Sequence, residues 1–322
     1  MAKFILGNTF RKKAFDNPVV RHTLWFLDLL LIGLLYGIFK LLPVTWASAL
    51  GARLGRLFSR LFPGRNRHIR ANLSLAFPEK PAGEIERHVG EVWENAGAIL
   101  AEYPHIRRII DPKRDFLEIV IREQIPAYSD PSQPAVFVVA HLANWEVVGA
   151  SMARFGIRSY AMYAPLANPW FNRLMLRYRG MLGCELISRD QGVRPFVNAL
   201  KGGGSAAMII DRRVEGGEPI PFFGVDKPSS TLPARLALRF KAPLVPVQVE
   251  RLSGPRFRVT FHEPLQVSDP QADVDTQAID LTRQIHAHYE RWISARPGEW
   301  LCTKKIWPGD ILRARTDAYR GA

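Results

Sequence analysis

The sequence predicts an α/β protein: a largely parallel central sheet flanked by helices, preceded by an N-terminal membrane helix. Three observations carry this. From about residue 134, short apolar runs of strand length alternate with helical stretches, the pattern of a parallel sheet covered by crossover helices. Residues 24–42 read LWFLDLLLIGLLYGIFKLL, a helix of roughly 28 Å, about the thickness of a bilayer core. The 322 residues are 47% hydrophobic, which excludes a disordered chain too polar to offset its ordering entropy.

The first element, 24–42, holds only two charges, Asp28 and Lys40, each near an end. Lys40 can extend its stem to the headgroups. A signal peptide fits poorly, because the apolar run is long and Pro43, Val44, Thr45 and Trp46 follow it in place of a small-residue cleavage site. A buried core helix is the alternative, and the basic flanks argue against it. Residues 44–62 read as a basic amphipathic helix suited to a membrane surface. Leu50, Leu54, Leu57, Phe58 and Leu61 form one face, and Arg53, Arg56 and Arg60 another. Pro63-Gly64 then breaks the chain, so 1–62 is expected to be an anchoring segment and 63–322 the globular domain. Helices follow at 66–76 and 82–103. Candidate strands are 135–140, 159–163, 185–188, 206–211, 244–250 and 256–261. Candidate helices are 144–155, 169–181, 192–201, 231–240 and 274–295.

The formal net charge is +14. Residues 1–70 hold twelve of the 44 Lys and Arg and two of the 30 Asp and Glu, so +10 lies at the N-terminal end. Lys3, Arg11, Lys12, Lys13 and Arg21 precede the apolar helix; Arg53, Arg56, Arg60, Arg65, Arg67 and Arg70 follow it. Basicity wrapped around two membrane-type helices points to an anionic bilayer. Nucleic acid would call for a basic stripe on the folded domain. The balance of the two flanks leaves orientation, and spanning versus dipping, undecided. Two cysteines, Cys184 and Cys302, exclude a disulfide framework and a cysteine-based zinc site.

In such folds chemistry sits at the carboxyl ends of strands. The clearest strand, AVFVVA, runs straight into His141, with Glu146 five residues on. The spacing lets the turn fold back so that Glu146 meets one imidazole nitrogen while the other faces a cleft, as a general base requires. Spacing alone equally describes a histidine closing a strand before an ordinary helix-start acid. No serine or cysteine nucleophile stands beside it, so the imidazole would activate a hydroxyl or amine of the substrate. Arg177, Arg179, Arg189, Arg212 and Arg213 gather in the same region of the sequence.

Other motifs carry less. KGGGS at 201–205 precedes a strand, whereas a phosphate loop follows one. Ser205 has the order of a nucleophile elbow inverted. His286 and His288 point apart on a helix and do not suggest a metal.

Six ordered segments carry a family resemblance: RHIRANLSLAFPEK (67–80), AHLANWE (140–146), YAPLANPWFNRLMLRYRG (163–180), IIDRRVEGGEPIPFFG (209–224), STLPARLALRFKAPLVPV (230–247) and PGEWL (297–301). Together they resemble the lipid A biosynthesis acyltransferases, the lauroyl and myristoyl transferases related to glycerolipid acyltransferases. The resemblance implies a glycerolipid acyltransferase-like domain over 63–322. It implies transfer of a fatty acyl group from acyl carrier protein, or another acyl thioester, to a hydroxyl of a phosphorylated glycolipid, a lipid A precursor. Another glycolipid or a lysophospholipid is the alternative acceptor. It implies His141 as general base with Glu146 orienting it, no cofactor or metal, and a place at the bacterial inner membrane with the catalytic domain facing the cytoplasm.

Substrate-binding residues implied by the resemblance are Asn144, Arg179, Arg189 and Asp211. Arg189 ends a Gly-x-x-x-Ile-x-Arg pattern that binds phosphate in glycerolipid enzymes; a surface ion pair is the other reading. Arg179 matches the family position better than Arg177. Asp211 either orders the site or pairs with a neighbouring arginine. Two departures bear on the acceptor. Trp300-Leu301-Cys302-Thr303 lacks the family's histidine, and Val214-Glu215-Gly216-Gly217 lacks the Glu-Gly-Thr-Arg of glycerol-phosphate enzymes.

Overall fold

The computed structural model describes residues 17–319. Lys3, Arg11, Lys12, Lys13 and Asp16, counted above in the basic segment, lie outside them. Four helices come first: α1 (Pro18–Leu41), α2 (Val44–Phe58), α3 (Pro63–Ala76) and α4 (Ala82–Glu102). α1 starts six residues earlier than the apolar run, because Asn17 caps it, accepting from the Val19 and Val20 N–H groups, and Pro18 suits the first turn. It stops at Leu42, which Pro43 forces into an extended conformation.

α1 buries a single stripe, Asp28, Ile32, Tyr36 and Phe39. Its only acidic residue is thus turned toward the protein. Phe26, Leu27, Leu30, Leu34, Ile38 and Leu41 remain exposed on the rest of the helix. The helix is long and apolar enough to cross a membrane by length and composition.

α2 packs differently from the sequence expectation. Its buried residues are Val44, Ala47, Ser48, Gly51 and Gly55, and they lie on α4. The leucine face is only half engaged: Leu50 and Leu54 join a cluster with α1 and α4, while Leu57, Phe58 and Leu61 are exposed. Backbone proximity explains the choice. A Cβ on Gly97 would sit 2.1 Å from the Gly51 carbonyl oxygen, and one on Gly55 2.2 Å from that of Trp93. Only glycines permit that approach, so the small-residue ridge takes the interface.

The central sheet has seven strands in the order β1-β9-β8-β2-β5-β3-β4. They are β1 (Leu117–Ile121), β2 (Val136–Val139), β3 (Ser159–Tyr163), β4 (Cys184–Ser188), β5 (Ser205–Ile209), β8 (Leu244–Ser253) and β9 (Arg256–Phe261). Neighbours pair in parallel except the β8–β9 hairpin. The helices that follow are α5 (Val147–Ala153), α6 (Pro169–Arg179), α7 (Arg194–Lys201), α8 (Leu232–Phe240), α9 (Val274–Ala295) and α10 (Gly309–Arg315). Alternate residues of β2 feed two cores. Val136 and Val138 pack with Leu236 of α8 and Ile285 and Tyr289 of α9; Phe137 and Val139 pack with Val147, Met152 and Phe261.

Each strand expected after residue 134 is present; 159–163 and 256–261 coincide with the expectation, and the ends of the others shift by at most three residues. Beyond two four-residue helices, Ile106–Ile109 and Pro126–Ser129, three features were not expected. β1 is a short edge strand among charged residues. The β6 (Glu218–Phe222) and β7 (Val225–Ser229) hairpin carries Pro219, Pro221 and Pro228, which argue against a strand, yet an isolated two-stranded ribbon leaves one hydrogen-bonding edge of each strand free to hold them. α10 is the third.

Candidate active site

β2 delivers His141 to the carboxyl end of the sheet. The chain then makes an irregular turn before α5 begins at Val147, with Ala143 at φ +45°. A left-handed alanine is strained and must be held by its surroundings. The segment around Trp300 holds it: the Ala143 N–H donates to the Glu299 carbonyl and the Leu301 N–H to the His141 carbonyl. Asn95 of α4 donates to the carbonyls of both Ala143 and Glu299.

His141 Nδ1 lies 2.6 Å from Asp211 Oδ1, at the exit of β5, the strand beside β2. The other carboxylate oxygen accepts from the Trp300 indole at 2.9 Å and the His141 N–H at 3.3 Å. Asp211 is fully buried. Burial alone would raise its pKa; the imidazole beside it, with Arg212 and Trp300, more than offsets this and holds the carboxyl below its ordinary value. Burial lowers the His141 pKa, with Asp211 acting the other way. The side chain is 12% exposed, and Nε2 carries no hydrogen bond among the described residues. A Nδ1–H tautomer is thereby fixed, and a lone pair at Nε2 faces the cleft. The Trp145 ring meets the imidazole edge-on at 4.9 Å between centroids.

The imidazole contact expected of Glu146 is thus made by Asp211. Glu146 accepts instead from Arg179 Nε, at 3.0 and 3.1 Å to its two oxygens, and from the Tyr103 hydroxyl at 2.7 Å. The reason is local geometry: Glu146 closes the turn before α5, facing the end of α6. Burial would lower the Arg179 pKa, but Glu146 and Tyr103 raise it overall, so the guanidinium stays charged.

The cleft holds about 370 Å³, and its charged and ionisable lining includes His141, Glu146, Arg179, Arg212 and Lys304. Val148 and Met152 of α5, with Val139, Ala161, Leu186 and Ile209 of the sheet, make the rest of its wall apolar. Among the described residues no cluster of three or more His, Cys, Asp or Glu is placed to hold a metal ion.

The model of the bacterial lipid A biosynthesis acyltransferases matches residues 13–308. The chain belongs to that family. It is 28% identical to a lipid A biosynthesis myristoyltransferase of Escherichia coli K12 over 87% of this chain and 88% of the relative. It is 26% identical to lipid A biosynthesis acyltransferase 2 of Shigella flexneri over 94% and 93%. It is also 23% identical to a phosphatidylinositol mannoside acyltransferase of Mycolicibacterium smegmatis, over 62% and 65%. Acyl transfer is thus the activity the site has to explain.

Within this acyltransferase the residues named from the sequence separate. His141, Glu146 and Arg179 line the cleft, with Asp211 directly behind His141. Asn144 does not reach it: the side chain is buried and donates to Glu102 at 2.9 Å, in a knot that also holds Ser48 and Arg251. Arg189 stands outside the cleft wall, exposed, 3.6 Å from Asp190. Arg177 lines a separate groove with Lys40 and Arg107.

Sequence reasoning missed the contributions of Tyr103, Lys227 and Lys304, and the indole of Trp300. Lys227 is fully buried, and its ammonium donates to the Ile210 and Asp211 carbonyls at 3.0 and 3.1 Å. It also lies 4.5 Å above the Phe222 ring. Trp300 was visible in the PGEWL segment; a lone lysine in a proline-rich hairpin carried no signal.

Proposed function

We propose that the chain is a membrane-bound O-acyltransferase moving a fatty acyl group from acyl carrier protein to a hydroxyl of a lipid A precursor. The observation that carries the reading is His141: Nδ1 held by a buried carboxylate, Nε2 open to a cleft with an apolar wall. Nε2 takes the acceptor hydroxyl proton as the oxygen attacks the thioester carbonyl. The tetrahedral intermediate expels the thiolate, and the imidazolium returns the proton to sulfur. Asp211 stabilises the imidazolium between these steps. Glu146, anchored by Tyr103, fixes Arg179 on the cleft wall. The apolar wall between α5 and the sheet takes the acyl chain.

Residues 1–62 serve as the membrane anchor. The uncovered apolar face of α1, with Trp46, Leu57, Phe58 and Leu61, supports this, as do Arg53, Arg56 and Arg60 for anionic headgroups. α1 is tied to the domain from Trp25, whose carbonyl accepts from Asn168, to Phe39, whose carbonyl meets His105. That favours embedding of its outer face while the inner stripe stays on the protein. The site is the bacterial inner membrane, with the catalytic domain on the cytoplasmic side.

The test is transfer from acyl-ACP to a labelled lipid A precursor. His141→Ala should lower turnover at least about 10²-fold, the scale of general base catalysis, with an unchanged circular dichroism spectrum. Near-wild-type turnover would sink the mechanism. The likeness to a phosphatidylinositol mannoside acyltransferase favours a second reading, another glycolipid acceptor. A panel of acceptors, and mass spectrometry of lipids from a deletion strain, separates the two.

A further inference from the structure

We propose that Arg212 and Lys304 on the cleft wall, with Arg65 beside them, form an anion site that binds a phosphate group of a substrate. Its ligand follows from the acyl-transfer reading; the site itself rests on the geometry. Arg212, just after β5, and Lys304, on the C-terminal loop, line the same cleft as His141. Arg65 stands in the first turn of α3. The loop is locked to that helix by Asn72, which is fully buried. Asn72 Nδ2 donates to the Cys302 and Lys304 carbonyls at 2.8 and 2.6 Å, and its Oδ1 accepts from the Ile306 N–H at 3.1 Å. This lock holds Lys304 against α3 two turns beyond Arg65, and Arg65 is near enough to act electrostatically on both Arg212 and Lys304.

The three cations make no direct ion pair. None has a carboxylate within ion-pair distance among the described residues. The nearby carboxylates are engaged elsewhere: Asp211 with His141 and Trp300, Glu146 with Arg179, Glu215 with Arg213 at 3.8 Å. Arg212 Nε is buried with no hydrogen-bond partner. Burial lowers the Arg212 pKa, Asp211 offsets this in part, and Arg65 adds to the lowering. Burial also lowers Lys304, and Arg212, Arg65 and Arg189 reinforce it. Gathering like charges out of water is unfavourable unless an anion completes the set. A phosphate offers the oxygens that a guanidinium fork and an ammonium can share. Exposed Arg189, close enough to act on Lys304, would guide it in.

Two substrates carry such a group: the phosphorylated glycolipid acceptor and the phosphopantetheine arm of the donor. The full chain in detergent should be titrated with two pairs of probes. One is a phosphorylated lipid A precursor and its dephosphorylated form; the other is acyl-phosphopantetheine and acyl-pantetheine. Loss of charged hydrogen bonds predicts a preference of about tenfold or more for the phosphorylated member of one pair, falling to within about twofold in Arg65→Ala and Lys304→Ala. The pair that shows it names the source. Pyrophosphate should raise the Tm of the wild type and not of the variants, whatever lipid the enzyme uses. Both variants remove half-buried cations without ion partners, so folding is retained. Variants that keep the preference and the pyrophosphate effect, or a wild type with neither, overturn the proposal. A pyrophosphate effect lost in the variants, with no glycolipid binding by the wild type, supports the site and overturns the acceptor reading.

Discussion

Nδ1 of His141 sits 2.6 Å from Oδ1 of Asp211, seventy positions along the chain, while Glu146, five positions away, faces Arg179. Parallel pairing of β2 with β5 brings the two strand ends together, so the His–Asp contact belongs to the sheet. The two carboxylates then have different jobs. Asp211 sets the imidazole; Glu146 balances a buried guanidinium.

Asp211→Asn and Glu146→Gln should therefore fail in different ways. Asp211→Asn favours the wrong tautomer, and kcat should fall by about 10³–10⁴-fold, as amide replacement does in a histidine–carboxylate pair. Glu146→Gln leaves Arg179 buried without its partner and should cost about 3–5 kcal/mol of stability. Urea denaturation read beside single-turnover kinetics separates them. A Glu146→Gln protein of wild-type stability that loses more turnover than Asp211→Asn would make Glu146 the orienting partner after all.

The rate should depend on pH through His141. Its pKa is lowered, chiefly by burial, so the neutral, proton-accepting form prevails above a value under the usual 6.5. kcat should rise on an acidic limb with its midpoint below 6.5 and stay flat through pH 7–8. An acidic midpoint above 7 would mean that another group titrates.

Gly97→Ala reverses the usual helix rule. Alanine in place of glycine in an open helix gains about 0.5–1 kcal/mol. At Gly97 the added carbon meets the Gly51 carbonyl, and forcing α2 off α4 should cost about 1–3 kcal/mol. Gly83→Ala on the same helix, with nothing within 4 Å, is the control and should not lower Tm.

Lys227→Met should change how stability responds to pH. Burial lowers the folded-state pKa of Lys227 to about 7 from 10.5. Between those values the unfolded chain binds the proton that the folded chain has released, so wild-type stability gains with rising pH, by at most about 1.4 kcal/mol per unit. Lys227→Met lacks that gain. Denaturation at pH 7 and pH 9 should show the difference moving toward the wild type. The variant also loses the clamp on the Asp211 carbonyl, and its kcat should fall. An unchanged pH slope would show that Lys227 keeps its proton throughout the folded range.

Much of this protein could be read directly along the chain. The alternation of apolar runs and helical stretches determined the α/β class, and LWFLDLLLIGLLYGIFKLL the long apolar helix, because both are local patterns of burial. His141 stands out as a candidate because it ends the most apolar strand, where such folds place their chemistry. The tertiary structure alone decided its partner, since two strands adjacent in the sheet and seventy residues apart in sequence bring Asp211 to Nδ1. It alone decided that Glu146 answers Arg179, that Asn144 serves the interior, and that α2 docks through glycines rather than leucines. It also brought Arg212 and Lys304 into one cleft from distant parts of the chain. Spacing specifies contacts only within a turn or a helix; contacts between strand ends, loops and buried cations follow from how the layers close, and closure is a property of the whole core.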